Sequence, residues 1–275
     1  LGLDVEHFER LCNEHKPSVA FLVHVLGHAN KMKQIIEICE KYDIILVEDT
    51  CEAYGSEHLG QKLGTFGIAS THSFFYGHAM STIEGGMVST DDHDLFNLML
   101  SLRSHGWLRD NDDSYKQKML DRYGMNDPFL ENYFFVHPGL NIRNTDLNAF
   151  LGLQQMKKID NYVSMRDQNY NLYFNNLSNH VRVQKSETDP VSALSFGLIH
   201  ENRKNIADSL TKNGVECRPL ICGSIQEHPF WYTRYEKVHL PNALKVHQHG
   251  LYVPCHQSMT EEHVNFISEI IKDNI

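Results

Sequence analysis

Three short stretches of this sequence put reactive residue types where strands and helices end. The apolar run Asp43-Ile44-Ile45-Leu46-Val47 closes on Glu48-Asp49-Thr50. A carboxylate directly behind a buried strand is either a turn or cap residue, or a charge aimed into a site. Ser73-Phe74-Phe75-Tyr76-Gly77-His78 closes another strand pattern, and Glu84-Gly85-Gly86 follows after a short turn. The imidazole of His78 has an ordinary pKa of about 6.5, so it can take or give a proton near neutral pH. Gly139-Leu140-Asn141-Ile142-Arg143 stands just before a long helical pattern. The fork of Arg143 matches the geometry of a carboxylate.

The elements that must position these residues alternate between strand and helix. Val19 to Leu26 is an apolar run stopped by Gly27 and reads as a buried strand. Asn30 is placed to cap a helix whose apolar face carries Met32, Ile35, Ile36 and Ile38. Asp43 to Val47, Ile68 to Phe75 and Gly86 to Thr90 are further strands, and a helix is expected from about Asp92 to Arg103. This order predicts a mostly parallel α/β sheet with ligands at the carboxyl ends of its strands. Trp107 to His137 lacks a clear period and reads as a long functional loop or insertion. A helical pattern with a bend runs from about Thr145 to Leu177. The last third reads as a small α+β unit, with strands near Val181–Gln184, Ala193–Ile199, Glu216–Pro219 and Leu251–Pro254. Its helices fall near Arg203–Lys212 and Glu261–Lys272. The division expected is 1–155 for a large domain, incomplete at its N-terminus, and 156–275 for the connecting helix and a small domain.

Composition narrows the function. With 41% hydrophobic and 22% charged residues the chain is ordinary globular protein. A formal charge of −10, spread along the chain, argues against nucleic-acid binding. No apolar run approaches the roughly 20 residues of a membrane span. No signal peptide is read either, so a cytoplasmic location is expected. The six cysteines form no Cys-x-x-Cys pair and no ferredoxin-like spacing, and they read as reduced thiols. Among the eighteen histidines, His24 with His28 and His247 with His249 are the closest pairs. No cysteine or carboxylate joins them at zinc spacing, so no metal is expected.

Taken together, the motifs resemble the DegT-type nucleotide-sugar aminotransferases, which use pyridoxal phosphate on the fold-type-I architecture. The family's Glu-Asp-Ala-Ala-Gln-Ala reads here as Glu48-Asp49-Thr50-Cys51-Glu52-Ala53. Its Ser-Phe-x-x-x-Lys reads as Ser73 through His78, and its Gly-Glu-Gly-Gly as Ile83-Glu84-Gly85-Gly86. Its Gly-x-Asn-x-Arg reads as Gly139 through Arg143, followed by matching Asp146-Leu147-Asn148-Ala149 and Leu153-Gln154. The resemblance covers essentially the whole chain but not the family's N-terminal segment, which carries a phosphate-binding Gly-Ser/Thr pair and a ring-stacking aromatic.

The resemblance implies roles. Asp49 would pair with the protonated pyridine nitrogen, keeping the ring an electron sink. Ser73 would hydrogen-bond the cofactor phosphate, as would Asn141 from the other subunit of a homodimer. Arg143 is the candidate for the carboxylate of L-glutamate. Glu52 takes the place of a glutamine beside the ring oxygen, with its role left open. His105 falls in a region that often lines the family's site. Arg218 and Arg103 are candidates for nucleotide phosphate, or else surface and ion-pair residues. The Schiff-base lysine is His78, a replacement shown by a subfamily of sugar 3-dehydratases. The expectation is therefore a dehydratase that removes the 3-hydroxyl of a nucleotide-linked 4-keto-6-deoxyhexose for deoxysugar and O-antigen synthesis. Pyridoxamine phosphate is held without a covalent bond, its amine meets the 4-keto carbon, His78 moves the C4′ proton, and glutamate restores the amine. The alternatives are a glutamate-dependent sugar aminotransferase, or an inactive cofactor-binding or dimerising remnant.

Overall fold

The computed structural model describes residues 1–185 and 187–275. Helix α1 (Val5–His15) leads into strand β1 (Val19–Val23), and α2 (Met32–Tyr42) leads into β2 (Ile45–Asp49). A small hairpin, β3 (Glu57–His58) with β4 (Gln61–Lys62), precedes β5 (Ala69–Ser73) and β6 (Gly86–Thr90). The first sheet has the order β1-β2-β5-β6. β1, β2 and β5 run parallel and β6 antiparallel, which is the mostly parallel α/β sheet expected. Helices α1 and α2 bury Cys12, Met32, Ile35 and Ile38 against Leu22 and Leu46 on one face. On β1, Val19, Phe21 and Val23 alternate with that buried row and remain exposed, as the two-residue strand period requires.

Two details depart from expectation. Strand β1 stops at Val23, because Val25–Gly27 is a 3-10 turn with Leu26 at φ 56°. Asn30 does not cap α2; its N-cap is Lys31, with no side-chain bond. The Asn30 side chain accepts from the Leu3 amide (2.7 Å) and donates to the Val23 carbonyl (2.8 Å), so it ties the turn down instead.

Helix α3 (His93–Leu102) begins at Asp92, whose carboxylate accepts from the Leu95 amide. The stretch read as structureless from Trp107 holds two helices, α4 (Asp113–Tyr123) and α5 (Pro128–Glu131). They close a small core of Leu108, Tyr115, Met119 and Leu120. The long helical pattern divides into α6 (Asp146–Met156) and α7 (Ile159–Leu177).

A second sheet, of order β7-β8-β10-β9, comprises β7 (Arg182–Val183), β8 (Ser195–Ile199), β9 (Arg218–Pro219) and β10 (Gly250–Pro254), all antiparallel. Helices α8 (Arg203–Lys212) and α11 (Glu261–Lys272) pack on it with α7. Short α9 (Pro229–Tyr232) and α10 (Pro241–His249) fill the β9–β10 connection. The core of this half includes Tyr173, Leu177, Phe196, Ile206, Leu210 and Val264, all fully buried. α7 also buries Arg166, whose guanidinium donates to the Ala193 carbonyl (2.6 Å) and the Gln257 side chain (2.9 Å).

Candidate active site

The strand period separates the two carboxylates at the end of β2. Glu48 points inward and is fully buried, while Asp49 is half-buried on the other side. Glu48 accepts from the backbone of Gly64 (2.9 Å), Phe66 (2.6 Å) and Gly67 (2.8 Å), and pairs with His24 at 3.0 Å. Burial works against the ionised form, but these bonds outweigh it and hold the carboxyl below the usual range. Glu48 therefore anchors the loop that feeds β5. The spacing of the motif shows that two acids are adjacent; only the pleat shows which one is structural.

Asp49 takes the backbone N–H of Cys51 on Oδ1 at 2.9 Å, which fixes its carboxylate at the strand end. Burial and the neighbouring Asp49 charge push the Cys51 thiol up to about 12, so it is a neutral filler. Beside Asp49, His72 bonds Thr50 Oγ1 (2.8 Å) through Nδ1, and Ser70 and Ser89 (3.1 Å each) through Nε2. Burial lowers the pKa of His72, with the Asp49 and Glu48 charges opposing. This layer beneath Asp49 was not foreseen, because a lone histidine in a strand carries no sequence signal.

His78 is half-buried in the loop after β5. Its Nδ1 hydrogen-bonds the Cys51 carbonyl. A carbonyl only accepts, so Nδ1 carries the proton and Nε2 keeps the lone pair. Glu52 lies close enough to interact with the His78 and Asp49 charges, and it accepts from the Leu26 amide at 2.8 Å. Ser73 is half-buried at the end of β5 and accepts from the Phe75 amide at 3.3 Å. Asp49, Glu52, Ser73 and His78 thus gather at the carboxyl ends of β2 and β5. An acidic acceptor, a hydroxyl and a free imidazole nitrogen are the donor set that pyridoxal phosphate requires, and these residues fit it.

A second group forms beside it. Gly106 and Gly139 let two backbones meet; a Cβ on Gly106 would lie 1.7 Å from the His137 carbonyl oxygen. Ser104 then bridges to Asn141, and the His105 amide donates to the Leu140 carbonyl at 2.8 Å. His105, Asn141 and Arg143 are all exposed, with Arg143 Nε 3.4 Å from Asn141 Oδ1. Asn148 joins this group to the glycine turn by donating to the carbonyls of Thr82 (2.7 Å) and Glu84 (3.1 Å). A groove of about 720 Å³ opens alongside, lined by Thr71, Met87, Phe96, Arg103 and Leu140 among others. Arg218 stands apart on β9, where its guanidinium is engaged by Glu216 at 2.6 Å and 2.8 Å.

Fold and site together describe an α/β enzyme of the pyridoxal-phosphate transferase type. The chain belongs to the DegT/DnrJ/EryC1/StrS aminotransferase family, whose model matches residues 1–272. It is 32% identical to GDP-4-keto-6-deoxy-D-mannose 3-dehydratase of Yersinia pseudotuberculosis, over 99% of this chain and 70% of the relative. It is 30% identical to the enzyme of the same name from Escherichia coli O55:H7, over 99% of this chain and 71% of that one. GDP-perosamine synthase of Escherichia coli O157:H7 is 29% identical over 94% of this chain and 66% of its own length. Among solved structures, a histidine-to-asparagine mutant of GDP-4-keto-6-deoxymannose-3-dehydratase with bound GDP-perosamine superposes with a TM-score of 0.89 at 28% identity. That match covers 99% of this chain and 72% of the other. The Escherichia coli dehydratase with bound hydrated pyridoxal phosphate superposes at 0.87, with 27% identity over 99% and 71% of the two chains.

Proposed function

We propose that this chain is a pyridoxamine-phosphate-dependent 3-dehydratase acting on a nucleotide-linked 4-keto-6-deoxyhexose, with L-glutamate restoring the amine. The observation that carries this reading is His78. It stands where the aminotransferases have a lysine, with Nδ1 donated to the Cys51 carbonyl and Nε2 left as the base.

When bound, the cofactor supplies an amine and an electron sink. Asp49 holds the proton on the ring nitrogen, and the Cys51 amide keeps its carboxylate aimed. Ser73 donates its hydroxyl to the phosphate. His78 Nε2 takes the proton from the carbon bearing the amine and delivers it to the departing 3-hydroxyl. Because imidazole forms no stable imine with the cofactor, the amine stays free for the keto sugar. Asn141 and Arg143 reach a phosphate and the glutamate carboxylate of a neighbouring subunit in a homodimer. The exposed apolar row Ile142, Leu147, Phe150 and Leu153 supports that assembly. His105 borders the sugar site, while Arg218 serves the nucleotide only if it leaves Glu216. The large domain extends to about residue 155. No helix among the described residues is long and apolar enough to cross a membrane. The reading places the enzyme in the cytoplasm, in deoxysugar synthesis for surface lipopolysaccharide.

The test incubates the chain with pyridoxamine phosphate, glutamate and GDP-4-keto-6-deoxymannose. A 3-deoxy product with 2-oxoglutarate is expected. An aminosugar product would replace the reading with the aminotransferase one, and absence of cofactor binding would leave a non-catalytic remnant.

A further inference from the structure

Glu52 has a place in the site that the cofactor roles do not explain. Its Oε2 is already committed to the Leu26 amide at 2.8 Å. That amide belongs to a turn with Leu26 at φ 56°, fully buried. Ser56 holds the same turn from below, donating to the Gly27 carbonyl and accepting from the Ser192 amide, both at 2.8 Å. Glu52 is thus fixed from its far side rather than free to swing onto a ligand. His78 is fixed by the adjoining residue, through the Cys51 carbonyl. One short segment, Cys51-Glu52, therefore orients the imidazole through its backbone and sets a carboxylate near it.

We propose that Glu52 is a positioning residue for His78, its half-buried carboxylate supplying the negative charge that stabilises the imidazolium formed when His78 has taken its proton. This rests on the reading of His78 as the base. A glutamine acceptor would secure the Leu26 amide equally well, so only the charge separates this role from a purely structural one. Burial raises the carboxyl's own pKa, with the Leu26 amide and His78 opposing and Asp49 adding to the rise. Other titratable groups around the pair are Asp49 and Cys51 on the β2 side, His72 on β5, Tyr54 and Asp160 beside α7, and Glu84 beyond the glycine turn. His24 is already paired with Glu48.

Glu52→Gln keeps the acceptor and removes the charge. NMR titration of histidine-labelled, cofactor-free chain would follow His78, assigned by its loss in His78→Asn. The expected result is a fall in the His78 midpoint of about one pH unit in Glu52→Gln. The acid limb of the dehydration rate should move to lower pH by the same amount. In the unsubstituted chain, the Glu52 carboxyl carbon should show a step at the His78 midpoint, which decides the matter even if the variant fails to fold. An unmoved or raised His78 midpoint, or a Glu52 carbon blind to His78, overturns the proposal. These measurements need no substrate, so they stand apart from failure of the dehydratase reading.

Discussion

At the scale of single residues, chemistry depends on which nitrogen of His78 holds the proton. The Cys51 carbonyl answers that by accepting from Nδ1. Replacing the base with His78→Asn should lower the dehydration rate by about 10²–10⁴-fold with little change in cofactor affinity. His78→Lys should do something different: borohydride should then trap the cofactor covalently, as an intact-mass increase absent from the unsubstituted chain. A trapped adduct on the unsubstituted chain would contradict the site. His28 offers a pH prediction away from catalysis. Burial pushes its imidazole from 6.5 down to about 3. The folded pKa is depressed, so the stability it contributes is full above pH 6.5 and is lost as pH falls toward 3. The loss accrues at about 1.4 kcal/mol per pH unit. Denaturation midpoints of His28→Gln should fall less steeply with acid than those of the unsubstituted chain; parallel curves would refute the assignment.

At the scale of elements, β2 does two jobs with neighbouring acids because the pleat sends them to opposite sides. Glu48 faces a ring of three backbone N–H groups and His24. Removing it leaves those donors without an acceptor inside the protein. Glu48→Ala should therefore cost about 3–5 kcal/mol, read as a shift in the urea midpoint. Asp49→Ala should leave the midpoint within about 0.5 kcal/mol, since the side chain is only half-buried and makes a single capping bond. Its loss should instead abolish turnover. If the two substitutions swapped effects, the division of labour along β2 would be wrong. The same scale explains the departure in the turn before α2. Asn30 carries the right chemistry for a cap, but its side chain finds better-placed backbone groups at Leu3 and Val23.

At the scale of the whole molecule, the exposed apolar row on α6 lies next to Asn141 and Arg143. Leu147 and Leu153 are 70% and 63% exposed, which is unusual for a helix at the edge of a site. A Leu147→Glu, Leu153→Glu double variant should shift light-scattering mass from dimer to monomer. Activity should fall with it, because the second group of site residues would lose its facing subunit. A variant that stays dimeric would remove this surface from the interface.

The order of elements was legible along the chain because buried strands and amphipathic helices repeat at different periods. The residues at their ends stood out because the motifs that carry them are local. Helix α4 was not legible, because its apolar residues serve a small core shared with Phe134 and Val136 rather than the main one. The gathering of Asp49, Glu52, Ser73 and His78 was implied by sequence. Three things depended on contacts between distant segments, which no local pattern encodes: the proton position on His78, the commitment of Glu52 to Leu26, and the pairing of Arg218 with Glu216. The sequence by itself determined which residue types stand at the strand ends. Only the tertiary structure decided which of them are anchored and which are free to act, because that depends on the partners the fold brings within hydrogen-bonding reach.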